Sequence, residues 1–389
     1  MKIAILTSGI LPVPAVQGGA AENLIDFLLN YNDMHHLHDI TVFSVYHPEV
    51  KKSPALKSEA NHYIYITIHS LIARIKAKLY ARKHPNEFYY YQLEYFFEQA
   101  YNRLKKQHFD LIILENRPGY AIKLKERLSI PVISHIHTDI VNPELPRAAE
   151  LIKANDGFIC VSEYIKNRIL AIGLPTKVDV VYNGLDEKNF NHQTSLSRSS
   201  LGFSENDFIV IYTGRIVPNK GVKELVQAIQ LLNNHPDIKL LVVGGDNFAD
   251  SVSSNPFLDE LHEMGRQMKD KVVFTGFIPY KLLPAYMRLA NVAVVPSRIN
   301  EALGMASIEA TAMGVPVIAT NDGGLPETLT GQKHIIIDKN GNMPRQIADA
   351  ILQIKENYAD FTGNYLNPQF SKEEYVKAFF NAIEGYGIG

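Results

Sequence analysis

Residues 297–310 read Ser297-Arg298-Ile299-Asn300-Glu301-Ala302-Leu303-Gly304-Met305-Ala306-Ser307-Ile308-Glu309-Ala310. A short apolar run, Val292–Pro296, comes before this segment, and a second run, Val315–Thr320, follows it. Apolar, β-branched runs of this length predict buried strands, and the segment between them predicts a helix. The order strand, loop, helix, strand is typical of α/β proteins with parallel sheets.

The same alternation continues in both directions along the chain and predicts two doubly wound, Rossmann-like domains. These are residues 1–185 and 186–370, and the segment 371–389 adds a helix that could pack back on the N-terminal domain. The predicted strands are Lys2–Thr7, Ile40–Ser44, Leu111–Leu114, Val132–His135, Gly157–Val161, Val178–Tyr182, Phe208–Thr213, Lys239–Val243, Val272–Thr275, Val292–Pro296, Val315–Thr320 and His334–Ile337. Ligands of such sheets bind beyond the carboxyl ends of the strands.

Composition excludes several classes of protein. The 389 residues are 46% hydrophobic and 21% charged, which is typical of globular domains and not of disordered chains. The net charge of −2 gives no reason to expect binding to nucleic acid. Cys160 is the only cysteine, so the chain has neither an internal disulfide nor a cysteine-based zinc site, and its apolar neighbours predict a buried position.

No apolar run reaches the roughly 18 residues of a spanning helix, and the N-terminus lacks a signal-peptide pattern. We therefore expect a cytoplasmic protein. Its halves differ in charge: residues 1–185 carry 21 basic and 18 acidic side chains, whereas the remainder carries 18 and 23. A mildly basic N-terminal half suits an anionic partner near a membrane.

Two loops at predicted strand ends carry the residue types that bind anions. The first ends in Gly18-Gly19 just before a predicted helix, where a bare backbone can approach a ligand closely. The second is Thr213–Gly221, in which Arg215 offers a bidentate fork and Lys220 a point charge. Together these cations predict a diphosphate site, although two solvated surface cations would give the same pattern.

The segment 297–310 adds two glutamates, Glu301 and Glu309. Eight helical residues span about 12 Å, which is about the distance from the sugar to the ribose of a nucleotide sugar. Glu309 could then accept hydrogen bonds from ribose hydroxyls, while Glu301 could hold the sugar. The amides near the helix start would meet the diphosphate between them; they belong to Leu303, Gly304, Met305 and Ala306.

These motifs together resemble the retaining GT-B glycosyltransferases of family 4, over essentially the whole chain. The pair Glu301 and Glu309 matches the family's E-x7-E motif, and Arg215 with Lys220 matches its G-R-x-x-x-x-K-G pair. Two further segments, 183–186 and 323–327, are similar to its domain-junction and G-G-x-x-E segments. The first loop is similar to that of bacterial transferases for spore coats and cell-surface polysaccharides.

The resemblance implies a GT-B fold, in which two Rossmann-like domains face a central cleft. It implies a hexosyltransferase that moves sugar, with retention and without metal or other cofactor, from a nucleotide-diphosphate sugar to a glycan or lipid-linked hydroxyl. A UDP-sugar is the first expectation, and the sequence leaves base, sugar and acceptor open. The residues implied for catalysis are Arg215, Lys220, Glu301 and His137, the last matching a family histidine that contacts the transferred sugar.

Two alternatives keep the fold and change the function. One is a nucleotide-sugar epimerase or hydrolase, which would act without an acceptor. The other is a non-catalytic surface-assembly protein. Such a protein would not need to keep the charged motif residues, which are all present in this chain.

The sequence Ser134-His135-Ile136-His137-Thr138-Asp139 offers two histidines and an aspartate at a strand end. Such a set could bind a metal, but no further ligand is evident, and we predict no metal site. His135 is expected in the core or behind His137.

The segment Leu71–His84 differs from the rest of the N-terminal half. Leu71, Ile72, Ile75 and Leu79 can share one helical face, and basic side chains supply much of the remainder: Arg74, Lys76, Lys78, Arg82 and Lys83. This pattern predicts either a helix packed on its own domain or peripheral contact with an anionic membrane at the inner face of the cell.

Overall fold

The computed structural model describes residues 1–68, 70–83, 88–190, 196–245 and 255–386. Contacts divide the chain into two compact units. The first unit is Met1–Tyr182 with Glu373–Gly389, and the second is Asn183–Lys372. Each contains one parallel sheet with helices, so the predicted α/β class with two Rossmann-like domains is confirmed.

The first unit is built on a parallel sheet of seven described strands in the order β3-β2-β1-β4-β5-β6-β7. The strands are β1 (Lys2–Leu6), β2 (Asp39–Val45), β3 (Asn61–Ile66), β4 (Leu111–Glu115), β5 (Val132–Ile136), β6 (Gly157–Cys160) and β7 (Val178–Val180). Its helices are α1 (Ala20–His35), α2 (Leu71–Lys83), α3 (Tyr91–Leu104), α4 (Tyr120–Lys125), α5 (Ala148–Ala154) and α6 (Glu163–Leu170).

The second unit has six described parallel strands in the order β10-β9-β8-β11-β12-β13. They are β8 (Phe208–Thr213), β9 (Ile238–Val243), β10 (Val272–Phe274), β11 (Val292–Val295), β12 (Val317–Thr320) and β13 (His334–Ile337). The helices are α7 (Glu187–Phe190), α8 (Val222–Leu231), α9 (Pro256–Gln267), α10 (Leu283–Met287), α11 (Met305–Ala312), α12 (Leu325–Thr328), α13 (Met343–Glu356) and α14 (Tyr358–Phe361). The last helix, α15 (Lys372–Glu384), returns to the first unit.

Alternation along β1 shows how the first sheet is covered on both faces. Ile3 and Ile5 belong to the core cluster that includes α1 and α15, whereas Ala4 and Leu6 belong to the cluster with α3 and α4. All four side chains are buried because a parallel sheet carries helices on each face.

Helix α15 covers the first sheet through a stripe of apolar side chains. The buried residues are Tyr375, Val376, Phe379, Phe380 and Ile383. Their spacing of three and four places them on one helical face. The C-terminal segment thereby completes the hydrophobic core of the first unit.

Both sheets have a point at which the strand order reverses. In the first sheet β1 lies between β2 and β4, and in the second β8 lies between β9 and β11. Loops leaving the carboxyl ends of two such strands diverge and open a crevice, which is where open α/β sheets bind ligands. Gly18, Gly19, Arg215, Lys220 and Glu301 lie in the loops after β1, β8 and β11, whereas His137 follows β5.

The structure adds elements that the sequence patterns did not predict. Strand β3 pairs only with β2 at the sheet edge, and its Asn, His and Tyr residues break the apolar run that marked the other strands. Helix α5 was also not predicted. Cys160 is buried at the end of β6, as predicted. In the described part of the chain, no helix combines the length and apolarity needed to cross a bilayer.

Candidate functional site

In the second unit, the loops after β8 and β11 bring Lys220 and Glu301 together. The Lys220 ammonium donates to Glu301 Oε2, and Ser297 Oγ donates to the same oxygen at 2.8 Å. Lys220 and Glu301 are 81 positions apart in the sequence. They meet because β8 and β11 are neighbours, so both loops leave the same sheet edge.

Gly221 permits the close approach of these two loops. Its φ of 70° lies in the left-handed region, and a Cβ at this position would lie 1.9 Å from the carbonyl oxygen of Pro296. A backbone oxygen cannot give way as a side chain can, so the site needs glycine here.

The backbone of Glu301 is held by the turn after β12. Its N–H donates to Asp322 Oδ2 at 2.8 Å, and its carbonyl accepts from the N–H of Gly324 at 2.8 Å. Asp322 is fully buried and pairs with Lys339, which follows β13. The motif identified in the sequence is residues 323–327. Asp322 lies just before this motif and was not predicted as a site residue.

Helix α11 begins later than the sequence suggested. Gly304, with φ 97°, stands before its first residue, Met305. The first-turn amides of Met305 and Ala306 have no carbonyl four residues back within the helix. Glu309 is thus the fifth helical residue, just over one turn in, so the predicted eight-residue helical span between the two glutamates is wrong. Leu303 is buried just before the helix.

Glu309 is buried against Tyr280, which the sequence did not predict. The Tyr280 hydroxyl donates to Glu309 Oε1 at 2.9 Å, and Phe190 packs edge-on against the tyrosine ring. Burial raises the pKa of Glu309 to about 7, because one hydroxyl only partly offsets the loss of water around the carboxylate. Near neutral pH this carboxyl therefore exchanges readily between charged and neutral forms.

Arg215 follows β8 and is exposed, whereas Lys220 is half-buried. The Arg215 carbonyl accepts a hydrogen bond from the Tyr212 hydroxyl at 2.6 Å. The second unit thus carries two cations, two glutamates and the start of a helix along one sheet edge.

In the first unit, the loops after β1 and β4 are tied together. Arg117 Nε donates to the carbonyl of Ser8 at 3.1 Å, and Ser8 Oγ donates to Glu22 Oε1 at 3.2 Å. Gly18 and Gly19 end the first of these loops and directly precede α1. The predicted glycine loop therefore lies at the point where the strand order reverses.

His137 follows β5 and contacts a buried carboxylate, Glu115, that the sequence motifs do not include. Glu115 ends β4 and lies opposite His135 on β5. Its Oε2 is 3.0 Å from His137 Nε2 and 3.2 Å from His135 Nδ1. Glu115 was missed because it lies 20 and 22 positions before the two histidines, and only strand pairing joins them.

The charge of Glu115 depends on its two histidine neighbours. Burial alone would raise the pKa of Glu115, but His135 and His137 outweigh burial and lower the pKa to about 2. Burial, followed by the nearby His135, lowers the pKa of His137. At neutral pH, Glu115 is therefore ionised and His137 is neutral.

Glu115, His135 and His137 are also the residues best placed to hold a metal ion in the described part of the chain. One ligand atom from each lies within 4.8 Å of the others. Asp139 does not join them, because its carboxylate pairs with Arg168 at 3.0 Å. The metal set suggested by the sequence, two histidines and Asp139, is therefore not assembled.

Helix α2 leaves most of its apolar residues uncovered. Ala73 and Ala77 are buried and face α3, whereas four larger side chains on the opposite face are 51–74% exposed: Leu71, Ile72, Ile75 and Leu79. The apolar face predicted from the sequence exists, but it is not the face that packs. His84, at the end of the predicted segment, lies outside the described residues.

Two family models match the chain, one in each half. The Glycosyltransferase Family 4 model matches residues 34–189, and the Glycosyl transferases group 1 model matches residues 193–366. The chain is a glycosyltransferase in which a family 4 domain is followed by a group 1 domain.

Proteins similar to this chain in sequence and in structure are consistent with this assignment. The glycosyltransferase is 29% identical to the spore coat protein SA of Bacillus subtilis over 90% of this chain and 89% of that protein. It is 27% identical to the putative glycosyltransferase YtcC of the same organism over 90% and 82% of the two chains. The Anabaena protein HepE, solved with UDP-glucose, superposes with a TM-score of 0.71 at 21% identity, covering 99% and 100% of the chains. The predicted GT-B fold is confirmed.

Proposed function

We propose that this glycosyltransferase moves a hexose from a nucleotide-diphosphate sugar to a hydroxyl of a glycan or lipid-linked acceptor, with retention of anomeric configuration. The contact between Lys220 and Glu301 carries the proposal. It joins a cation suited to a diphosphate with a carboxylate suited to sugar hydroxyls, at the sheet edge where α/β proteins bind ligands.

Each part of the donor has a counterpart in the second unit. Arg215 and Lys220 would bind the diphosphate together with the first-turn amides of α11. Glu309 would accept hydrogen bonds from the ribose, and Glu301 would hold the transferred sugar. HepE has been solved with UDP and with UDP-glucose, which supports a UDP-sugar as the first donor to test.

The proposed reaction needs no metal ion or other cofactor. The bond from the anomeric carbon to the diphosphate breaks, the bond to the acceptor oxygen forms on the same face, and the acceptor proton passes to the departing diphosphate. The side chains Arg215 and Lys220 would stabilise the growing negative charge, which is electrostatic catalysis by fixed groups. In the first unit, Gly18, Gly19 and His137 would contact the sugar and the acceptor.

A donor screen tests this proposal. Released nucleoside diphosphate is measured with UDP-glucose, UDP-N-acetylglucosamine and GDP-mannose, with and without EDTA. We expect the variants Arg215→Ala and Lys220→Ala each to lower turnover about 100-fold, because each loses about 3 kcal/mol of transition-state stabilisation.

Lys223→Ala is the matched control. Lys223 lies three residues beyond Lys220 on α8, and its exposed ammonium pairs with Glu260. Its turnover should equal that of the unmodified enzyme. Unchanged turnover in Lys220→Ala and Arg215→Ala would overturn the diphosphate assignment. Release of free sugar without acceptor would identify a hydrolase instead, and loss of activity in EDTA would contradict metal-independent transfer.

We further propose that α2 contacts an anionic membrane, which would bring a lipid-linked acceptor within reach. The exposed apolar side chains Leu71, Ile72, Ile75 and Leu79 form one face. Arg74, Lys76, Lys78 and Arg82 are exposed on the same helix. Apolar side chains that enter the headgroup region, with cations beside them, are what peripheral helices use on anionic lipid.

A further inference from the structure

Glu115 makes a contact that decides which nitrogen of His137 carries a proton. An ionised carboxylate has only acceptor atoms. The ring nitrogens that face it, His137 Nε2 at 3.0 Å and His135 Nδ1 at 3.2 Å, must therefore both act as N–H donors. Neutral imidazole has one N–H, so His137 keeps its lone pair on Nδ1.

The surroundings hold this arrangement in place. Glu115 is 1% exposed, and His135 is fully buried against the ring of Phe379, with centroids 5.1 Å apart. The backbone N–H of His137 donates to Asn116 Oδ1 at 3.3 Å. His137 itself is 9% exposed at the side chain, so its ring is fixed from behind and reaches solvent at its edge.

We propose that Glu115 is a positioning residue that selects the Nε2-protonated tautomer of His137, so that Nδ1 accepts a hydrogen bond from a sugar hydroxyl. This inference rests on the proposed function, in which His137 contacts the sugar. Glu115 acts through His137 and does not itself touch the substrate. No hydrogen bond to His137 Nδ1 occurs within the described residues, which leaves that atom available for a ligand.

Two substitutions of His137 separate its two nitrogens. The Asn side chain places an amide oxygen near the position of Nδ1, whereas Gln places its amide near Nε2. We expect His137→Asn to keep more turnover than His137→Gln, because only Asn retains the acceptor that would face the sugar.

Glu115→Gln tests the positioning role directly. Its amide can accept from one histidine but donates to the other, so the tautomer is no longer selected. We expect turnover to fall at least about 10-fold, as for other groups that orient a histidine. The KM for the donor should change little, because the proposed diphosphate and ribose contacts lie in the second unit. Two-bond ¹H–¹⁵N spectra should show loss of the Nε2-protonated form of His137.

Glu94→Gln is the matched control. Glu94 is also 1% exposed and pairs with Lys123 at 2.6 Å, but it lies on α3 and not on the strands that bring Glu115 and His135 together. It should lose stability and keep its turnover per folded molecule. In a His137→Asn background, Glu115→Gln should have no further effect on turnover.

The outcomes distinguish this inference from the proposed function. Loss of activity in His137→Ala, with wild-type turnover or an unchanged tautomer in Glu115→Gln, would overturn the positioning role alone. Wild-type turnover in His137→Ala would overturn the positioning role together with the sugar contact proposed for His137, and would leave the transfer reaction itself to the tests on Arg215 and Lys220. Stoichiometric zinc that survives dialysis and is lost in Glu115→Gln would assign the three side chains to a metal instead.

Discussion

Glu115 and Glu309 are both buried carboxylates, but their surroundings shift their pKa values in opposite directions. Glu115 faces two histidine rings, and its pKa is about 2. Glu309 faces the Tyr280 hydroxyl, and its pKa is about 7. Additional donors, such as the two hydroxyls of a ribose, would stabilise the Glu309 carboxylate. Ionisation of Glu309 and binding of a nucleotide are therefore expected to favour each other.

The raised pKa of Glu309 predicts how stability depends on pH. A carboxyl whose pKa is higher in the folded state loses its stabilising contribution as pH rises from about 4.5 through about 7. Glu309→Gln keeps the acceptor for Tyr280 but cannot ionise. We therefore expect this variant to be more stable than the unmodified protein at pH 8, by up to about 3 kcal/mol, and to show a much smaller difference at pH 4.5.

Thermal unfolding of both proteins between pH 4.5 and 8 measures this effect, with Glu356→Gln as a control near the end of α13. If the difference between Glu309→Gln and the unmodified protein does not grow with pH, Glu309 ionises in the folded state as readily as in water.

At the scale of elements, helix α15 contributes several large apolar side chains to the hydrophobic core of the first unit. Phe379 is 1% exposed and contacts both His135 and the apolar core under β1. We expect Phe379→Ala to destabilise the first unit by about 3–5 kcal/mol, because the cavity left behind cannot fully collapse. Hydrogen exchange should show lower protection in β1 and α1 and unchanged protection in β8 and β11.

Lys377→Ala on the same helix is the control. Lys377 is exposed and pairs with Glu373 at the surface, where such pairs contribute little. Its effect should stay within about 0.5 kcal/mol. Equal effects from the two substitutions would show that α15 is not part of the core.

Most strands could be predicted from the sequence because they are buried on both faces and read as apolar runs. Strand β3 could not, because its Asn, His and Tyr residues break the apolar run that marks the other strands. The start of α11 was misplaced because Gly304 interrupts a segment whose composition is helical throughout. Local composition therefore predicts which segments are buried better than it predicts the residue at which a helix begins.

The candidate site was predictable only in part, for a reason of topology. Arg215, Lys220, Glu301 and Glu309 stand in motifs that are local in the sequence. The residues that hydrogen-bond to the two glutamates lie outside these motifs. Tyr280 is 29 positions from Glu309, and Asp322 is 21 positions from Glu301. Which strand ends meet depends on strand order, which the hydrophobic pattern does not contain.

For the molecule as a whole, the exposed face of α2 predicts how the protein distributes between water and lipid. Vesicles containing phosphatidylglycerol should carry the protein upward in a flotation gradient at low salt, and added salt should weaken binding, because the attraction to the cations is screened. The double variant Ile72→Glu and Ile75→Glu should abolish flotation.

Leu231→Glu provides the comparison, because Leu231 is 54% exposed on α8 in the second unit and lies outside the proposed surface. It should float like the unmodified protein. If the protein does not bind the vesicles, or binds them equally at low and high salt, the proposed membrane contact is wrong and α2 is an ordinary surface helix.

The return of α15 to the first unit has a consequence for synthesis on the ribosome. The strands of the first sheet are translated before the second unit, but the helix that covers one of their faces is translated after it. Between them lie the 190 residues Asn183–Lys372 of the second unit. At about 5–20 residues per second, they take roughly 10–40 s to appear. During that interval the nascent first unit lacks part of its core, so the second unit is the first of the two that can be completed.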